Sequence, residues 1–113
     1  LGPDALQDEQ RVLLETARII KLAFLQQNAF HEIDASSSPK KTYLIAKTIR
    51  EAFEIFMYYT KERGFDPKNI ASLPAVEAII RLKELKDEDV EKSITQILQD
   101  LRAQAERYSR EAA

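Results

Sequence analysis

The sequence predicts an all-α protein, an antiparallel bundle of about four helices. Three observations carry that prediction. Apolar residues recur three and four positions apart over long stretches, the spacing of one helical face. The 113 residues include only two glycines and four prolines, so long uninterrupted helices are available and a turn-rich β protein is not. The breaks in the periodic pattern are few and short, and a helix that must turn back after a short connection packs antiparallel to its predecessor.

The first helix is expected to be capped by Asp8 and to run from Arg11 to about Gln27. Leu13, Ala17, Ile20 and Phe24 form its expected core stripe, widened by Leu14, Ile19 and Leu22. Residues 28–38 break the period, and Asp34-Ala35-Ser36-Ser37-Ser38 has the composition of a loop. Ser38 before Pro39 is a helix start: a hydroxyl to cap, then a proline at the first position, where its missing N–H is harmless. The second helix then runs from Pro39 to about Arg63, roughly 35 Å at 1.5 Å per residue. Tyr43, Ile45, Ala46, Ile49, Ala52, Phe53, Phe56 and Met57 are its expected apolar face. Gly64 suits a left-handed position past its end, with Pro67 soon after. A third helix starts near Pro74 and turns Val76, Ile79, Ile80 and Leu82 inward. Lys83 to Asp89 form a charged turn, in which Asp87 is expected to cap the last helix while Glu88 and Asp89 meet the positive end of its dipole. Val90, Ile94, Ile97, Leu98, Leu101, Ala105 and Tyr108 make the last stripe.

Hydrophobic residues at 44%, charged residues at 32% and a net charge of −2 describe an ordinary globular chain. Without a basic excess, sequence-independent nucleic-acid binding is not expected. No apolar run reaches bilayer length, so no membrane insertion is expected. With no signal-peptide pattern at the start, a cytoplasmic location is expected. Leu1 in place of an initiator Met suggests a piece of a longer protein.

The chemistry-bearing inventory is sparse. Gly2 and Gly64 are the only glycines, which leaves no P-loop and no dinucleotide fingerprint. The single histidine, His31, has no glutamate three residues before it for a di-metal bundle site and no nucleophile elbow for a triad. There is no cysteine. No catalytic residue, metal site or cofactor of its own is expected. Lys83 to Glu91 reads as a solvated turn or a contact surface, and Tyr58-Tyr59 as the edge of a core.

One segment is more specific. It contains Asp4-Ala5-Leu6, then Leu14-Glu15-Thr16-Ala17-Arg18-Ile19-Ile20, then Phe24-Leu25-Gln26-Gln27-Asn28-Ala29-Phe30, and then Asp34. This resembles the start of the C-terminal domain of the catalytic A (alpha) subunits of V-type and archaeal-type rotary ATPases. In that family a "DAL" is followed by an "LE-A-LI" helix, an aromatic before "LQQNAF", an Asp-containing loop and another long helix. The match is close from Asp4 to Asp34 and extends through the second helix; past Gly64 only helix lengths and the acidic turn correspond. Ser36-Ser37-Ser38 departs from the pattern, since many family members carry an aromatic and a cysteine there, and this puts cysteine-based regulation in doubt.

The resemblance implies a parent protein that is an ion-transporting rotary ATP hydrolase or synthase using ATP, ADP and Mg. The P-loop, metal and general-base residues would lie upstream, in a nucleotide-binding domain. It implies that Phe24 and Phe30, six residues apart, form one wall of the adenine pocket. An aromatic ring stacks on a base with about 1–3 kcal/mol. Phe24 also belongs to the first helix's stripe, so packing and stacking are both open to it. The implied partners are that upstream domain, the B subunits and the central rotor subunits. Lys83, Glu84, Lys86, Asp87, Glu88 and Asp89 would face the rotor, on the cytoplasmic, peripheral side of a membrane-bound machine. The alternatives from other classes are a stand-alone helical protein–protein interaction module, a helical DNA-binding domain, and an enzyme acting alone. The first leaves the Phe24–Phe30 run unexplained, the second conflicts with the charge, and the third lacks the residues.

Overall fold

The computed structural model describes residues 3–25 and 38–110, with side chains from Leu6 onward in the first stretch. The described residues form four α-helices: α1 (Pro3–Phe24), α2 (Pro39–Glu62), α3 (Pro74–Ile80) and α4 (Asp87–Arg107). Two 3₁₀ turns, Pro67–Ser72 and Arg81–Glu84, flank α3. No strand is present among the described residues; a lone antiparallel bridge pairs Phe65 with Ser109. The all-α bundle expected from periodicity is the fold.

Each helix boundary has a local cause. α1 begins at Pro3, earlier than the expected cap at Asp8, with a proline opening the helix. Ser38 caps α2, its Oγ accepting the N–H of Lys41 at 3.0 Å. Gly64 takes φ 73° just past the end of α2, the left-handed conformation that an L side chain resists. A Cβ there would stand 3.0 Å from Arg110 Nε. Gly64→Ala is therefore expected to cost about 1–2 kcal/mol from the backbone alone, read as a lower midpoint in urea. α3 has no side-chain cap of its own; Gln104 on α4 reaches across, its Oε1 accepting the N–H of Ala75 at 2.9 Å. α4 is entered through Lys86, so Asp87 is the first helical residue and not the cap expected of it. The three acids Asp87, Glu88 and Asp89 occupy the first turn, where the dipole favours them.

The helices run up, down, up, down. At one end of the bundle lie the finish of α1, the start of α2 and the start of α4, joined by Ser38–Asp87 and Lys40–Glu91. At the other end, Arg63 after α2 pairs with Glu106 on α4 at 2.8 Å, and the Phe65–Ser109 bridge lies beside them. α2 and α4 are thus parallel to each other, with α1 packed on α2 and α3 on α4. The molecule measures 46 × 25 × 20 Å.

The core runs through all four helices. Ile45, Ile49, Ala52 and Phe56 of α2 meet Val76, Ile79 and Leu82 around α3, and Val90, Leu98, Leu101 and Ala105 of α4. These are the faces the periodicity predicted. Tyr43, Ala46 and Tyr108, expected inward, are exposed instead, the tyrosines near the ends of their helices and Ala46 on the side of α2 that borders α1. On α1 the register differs from expectation. Val12, Glu15, Thr16, Ile19 and Ala23 are buried, whereas Leu13, Ala17, Ile20 and Phe24 face out. The polar members of the buried set find partners on their own helix: Thr16 Oγ1 donates to the Val12 carbonyl, and Glu15 Oε2 accepts from Arg11 Nε, both at 2.8 Å, while Glu15 Oε1 is buried without a hydrogen-bond partner among the described residues.

Candidate functional site

The reversed register of α1 defines the first candidate site. Leu13 is 56% exposed, Ile20 45% and Phe24 41%, on a face no described residue covers. Beside them α2 presents Ala46, Ile49, Arg50 and Phe53. Together the two helices line an open groove of about 420 Å³ whose walls are almost wholly apolar. Phe24 closes one end of it. A large side chain left half in water at the end of a helix is costly unless something else covers it. The ring offers a flat face of the kind that stacks on a base. Phe30, the second aromatic implied by the resemblance, and His31 lie outside the described residues.

The charged turn is the second candidate site, and the structure divides its residues. Glu84, Lys86, Glu88 and Asp89 are exposed. Asp87 is partly buried, its Oδ2 accepting the hydroxyl of Ser38 at 2.5 Å. Lys83 turns inward and is buried. Its ammonium donates to the carbonyls of Leu22 at 2.8 Å and Leu25 at 3.0 Å. Close by, Lys40 and Glu91 pair at 2.7 Å. The hydrogen bond to Glu91, and then its charge, hold the Lys40 amine above its usual range; the same bond and charge hold the Glu91 carboxyl below its own. Both groups are exposed, so the pair adds little to stability.

The burial of two lysines at this end escaped the sequence reading, which placed Lys83 on the rotor face and did not single out Lys41. Lys41 is buried, with Nζ donating to the carbonyl of Lys83 at 3.2 Å. The signal was present: Lys41 stands four residues before Ile45 and eight before Ile49, on the buried face of α2. Lys83 likewise follows Ile79 by four. The two candidate sites meet, since Phe24 sits between the two residues whose carbonyls Lys83 holds. Tyr58 and Tyr59 pack edge to face, centroids 5.1 Å apart, with Tyr58 half exposed, and form no platform with the sites above.

Among the described residues no three His, Cys, Asp or Glu side chains gather as metal ligands would. No described helix is long and apolar enough to cross a membrane.

Comparison with known proteins decides the family. The family model for the C-terminal domain of V and A type ATP synthase matches residues 1–70. The chain belongs to that family. Members similar to it include the A subunit of the A-type ATP synthase of Staphylothermus marinus, 38% identical over 112 residues, covering 99% of this chain and 19% of the relative. The A subunit from Methanopyrus kandleri is 36% identical over 113 residues, all of this chain and 19% of the relative. The A subunit from Methanococcus maripaludis is 42% identical over 94 residues, 79% of this chain and 15% of the relative. The chain thus spans about a fifth of the length of these relatives, or less. As the C-terminal domain of a V/A-type ATP synthase A subunit, it presents an apolar helix face and a charged turn at one end of a bundle.

Proposed function

We propose that this domain works as part of a catalytic A subunit, supplying one wall of the adenine pocket and passing motion between the nucleotide site and the rotor. In the parent, an ion-transporting rotary ATP hydrolase or synthase, an upstream nucleotide-binding domain holds ATP or ADP with Mg and performs the chemistry. This domain adds Phe24 and Phe30 as the adenine wall. The exposed part of the turn, Glu84, Lys86, Glu88 and Asp89 with Asp87 behind them, meets the rotor subunits, while Lys83 acts inward. The B subunits complete the ring, at the cytoplasmic face of the membrane sector.

The observation that carries this reading is the placement of Phe24. Were it a core residue, it would be sealed; it stands instead at the end of an apolar groove that the other described residues leave open. Docking the upstream domain over α1 would cover that groove and bring the base to the ring. An isolated wall without phosphate ligands has little of the charge complementarity that nucleotide binding needs, so the isolated chain is expected to bind ATP very weakly.

The test uses the full-length parent protein. Phe24→Ala and Phe30→Ala should each weaken ATP binding by the loss of one stacked ring, about 1–3 kcal/mol or roughly 5- to 150-fold in Kd. A Phe24→Trp reporter should change its emission saturably with ATP in the parent and not in the isolated chain. Unchanged affinity in both alanine variants, with ATP binding confirmed independently, would return the two aromatics to a packing role.

A further inference from the structure

We infer that Lys83 is a positioning residue: its buried ammonium ties the end of α1, and with it Phe24, to the charged turn, so that the two move as one body. The inference deepens the proposed function and rests on it for its functional meaning, though the link itself is a matter of geometry.

The case begins with the 3₁₀ turn Arg81–Glu84. Its outer residues, Arg81 and Glu84, pair with each other at 3.3 Å, and Arg81 also with Glu77 at 3.0 Å. That leaves Leu82 and Lys83 as the inward pair. A buried lysine without a carboxylate needs several good acceptors to remain charged. Among the described residues no carboxylate lies within ion-pair distance of Lys83 or of Lys41. Lys83 finds its acceptors at the end of α1, where the last carbonyls lack intrahelical partners and the dipole is negative. It takes two of them, Leu22 at 2.8 Å and Leu25 at 3.0 Å, one on each side of Phe24.

The backbone of Lys83 is fixed in turn. Its carbonyl accepts from the buried Lys41 Nζ at 3.2 Å, in the first turn of α2. The Lys41 N–H is held by Ser38 Oγ, and that hydroxyl donates to Asp87. A continuous path of hydrogen bonds therefore leads from Asp87 through Ser38, Lys41 and Lys83 to both carbonyls flanking Phe24. A turn displaced by a partner cannot leave the end of α1 behind without leaving the Lys83 ammonium buried and unsatisfied, a strongly penalised state.

Two measurements test the inference, and they fail separately from the adenine reading. In this chain, Lys83→Met keeps the aliphatic stem and removes the ammonium. Amide hydrogen exchange at Phe24 and Leu25 should then accelerate relative to Phe56 and Leu101 by on the order of tenfold. Lys41→Met, run in parallel, leaves the ammonium in place and frees only the Lys83 carbonyl. It should loosen the same two amides by a smaller factor, and it supplies the readout if the Lys83 variant fails to fold. Exchange that rises uniformly, or not at all, in the variants that fold overturns the link. In the assembled enzyme, the Phe24→Trp reporter should respond both to ATP and to addition of the rotor subunits. Lys83→Met should abolish the rotor response and keep the ATP response. A rotor response that survives overturns the positioning role. An ATP response absent even with Lys83 intact counts against the adenine wall alone, and leaves the exchange experiment to judge Lys83.

Discussion

Phe56→Ala is expected to be the most destabilising single substitution in this chain, lowering the free energy of unfolding by about 3–5 kcal/mol. The ring is fully buried on α2, the helix that packs against both α1 and α4. Its removal costs the transfer free energy of the ring and leaves a cavity at the junction of three helices, where no neighbour can close in without drawing away from another. A chain of this length has about 6–17 kcal/mol in all, at 0.05–0.15 kcal/mol per residue. The loss is thus a large fraction of the total. Thermal unfolding followed by far-UV circular dichroism should show the midpoint fall by roughly 12–40 °C, at about 4–8 °C per kcal/mol. A fall of only a few degrees would mean that the three helices do not share one core.

The second large effect comes from two adjacent residues. Ile19 is fully buried, whereas Ile20 is 45% exposed on the open face. Ile19→Ala should cost about 2–5 kcal/mol as a buried large-to-small change. Ile20→Ala should stay within about 0.5 kcal/mol in the isolated chain, as surface substitutions do. Urea denaturation of the two variants side by side reads the difference directly. The same Ile20→Ala change in the parent protein should loosen the contact between this domain and the nucleotide-binding part, which limited proteolysis would detect. If the two costs were reversed, the register of α1 would be the one periodicity suggested, and Phe24 would be a core residue.

That register is where the sequence was least legible. α1 is apolar around most of its circumference, with Leu13, Leu14, Ile19, Ile20, Leu22 and Ala23 close together. Two stripes satisfy a helical period, and the cleaner one is Leu13-Ala17-Ile20-Phe24. The rival contains Glu15 and Thr16, which look like surface residues. It is the buried one, because Thr16 bonds back to its own helix and Arg11 neutralises Glu15. Local satisfaction of this kind leaves no trace in hydropathy. An apolar stripe also reads the same whether it meets its own core or another domain. α3 and α4 had no such ambiguity: Val76, Ile79, Ile80 and Leu82, and then Val90, Ile97, Leu98 and Leu101, are each the single apolar face of an otherwise polar segment, and they are buried. The helix ends were readable wherever a side chain does the capping, as at Ser38, or a glycine must turn left, as at Gly64. Pro74 marked the start of α3, but a capping partner from far along the chain was not readable, as with Gln104 for α3 and Lys83 for α1. As for the candidate site, Phe24 could be picked out only by resemblance, and its exposure only by structure.

The way α2 and α4 are fastened has a mechanical consequence. They run in the same direction and are joined at one end by Ser38–Asp87 and Lys40–Glu91, and at the other by Arg63–Glu106 and the Phe65–Ser109 bridge. A pair of rods pinned at both ends resists shear: neither can slide along the other without breaking a joint. The pair is therefore the stiff strut of the domain, able to carry a thrust along its length without changing shape. α1 packs along the flank of that strut through Val12, Ile19 and Ala23, and Lys83 fastens its far tip to the turn at the strut's end, so that tip is carried with the strut.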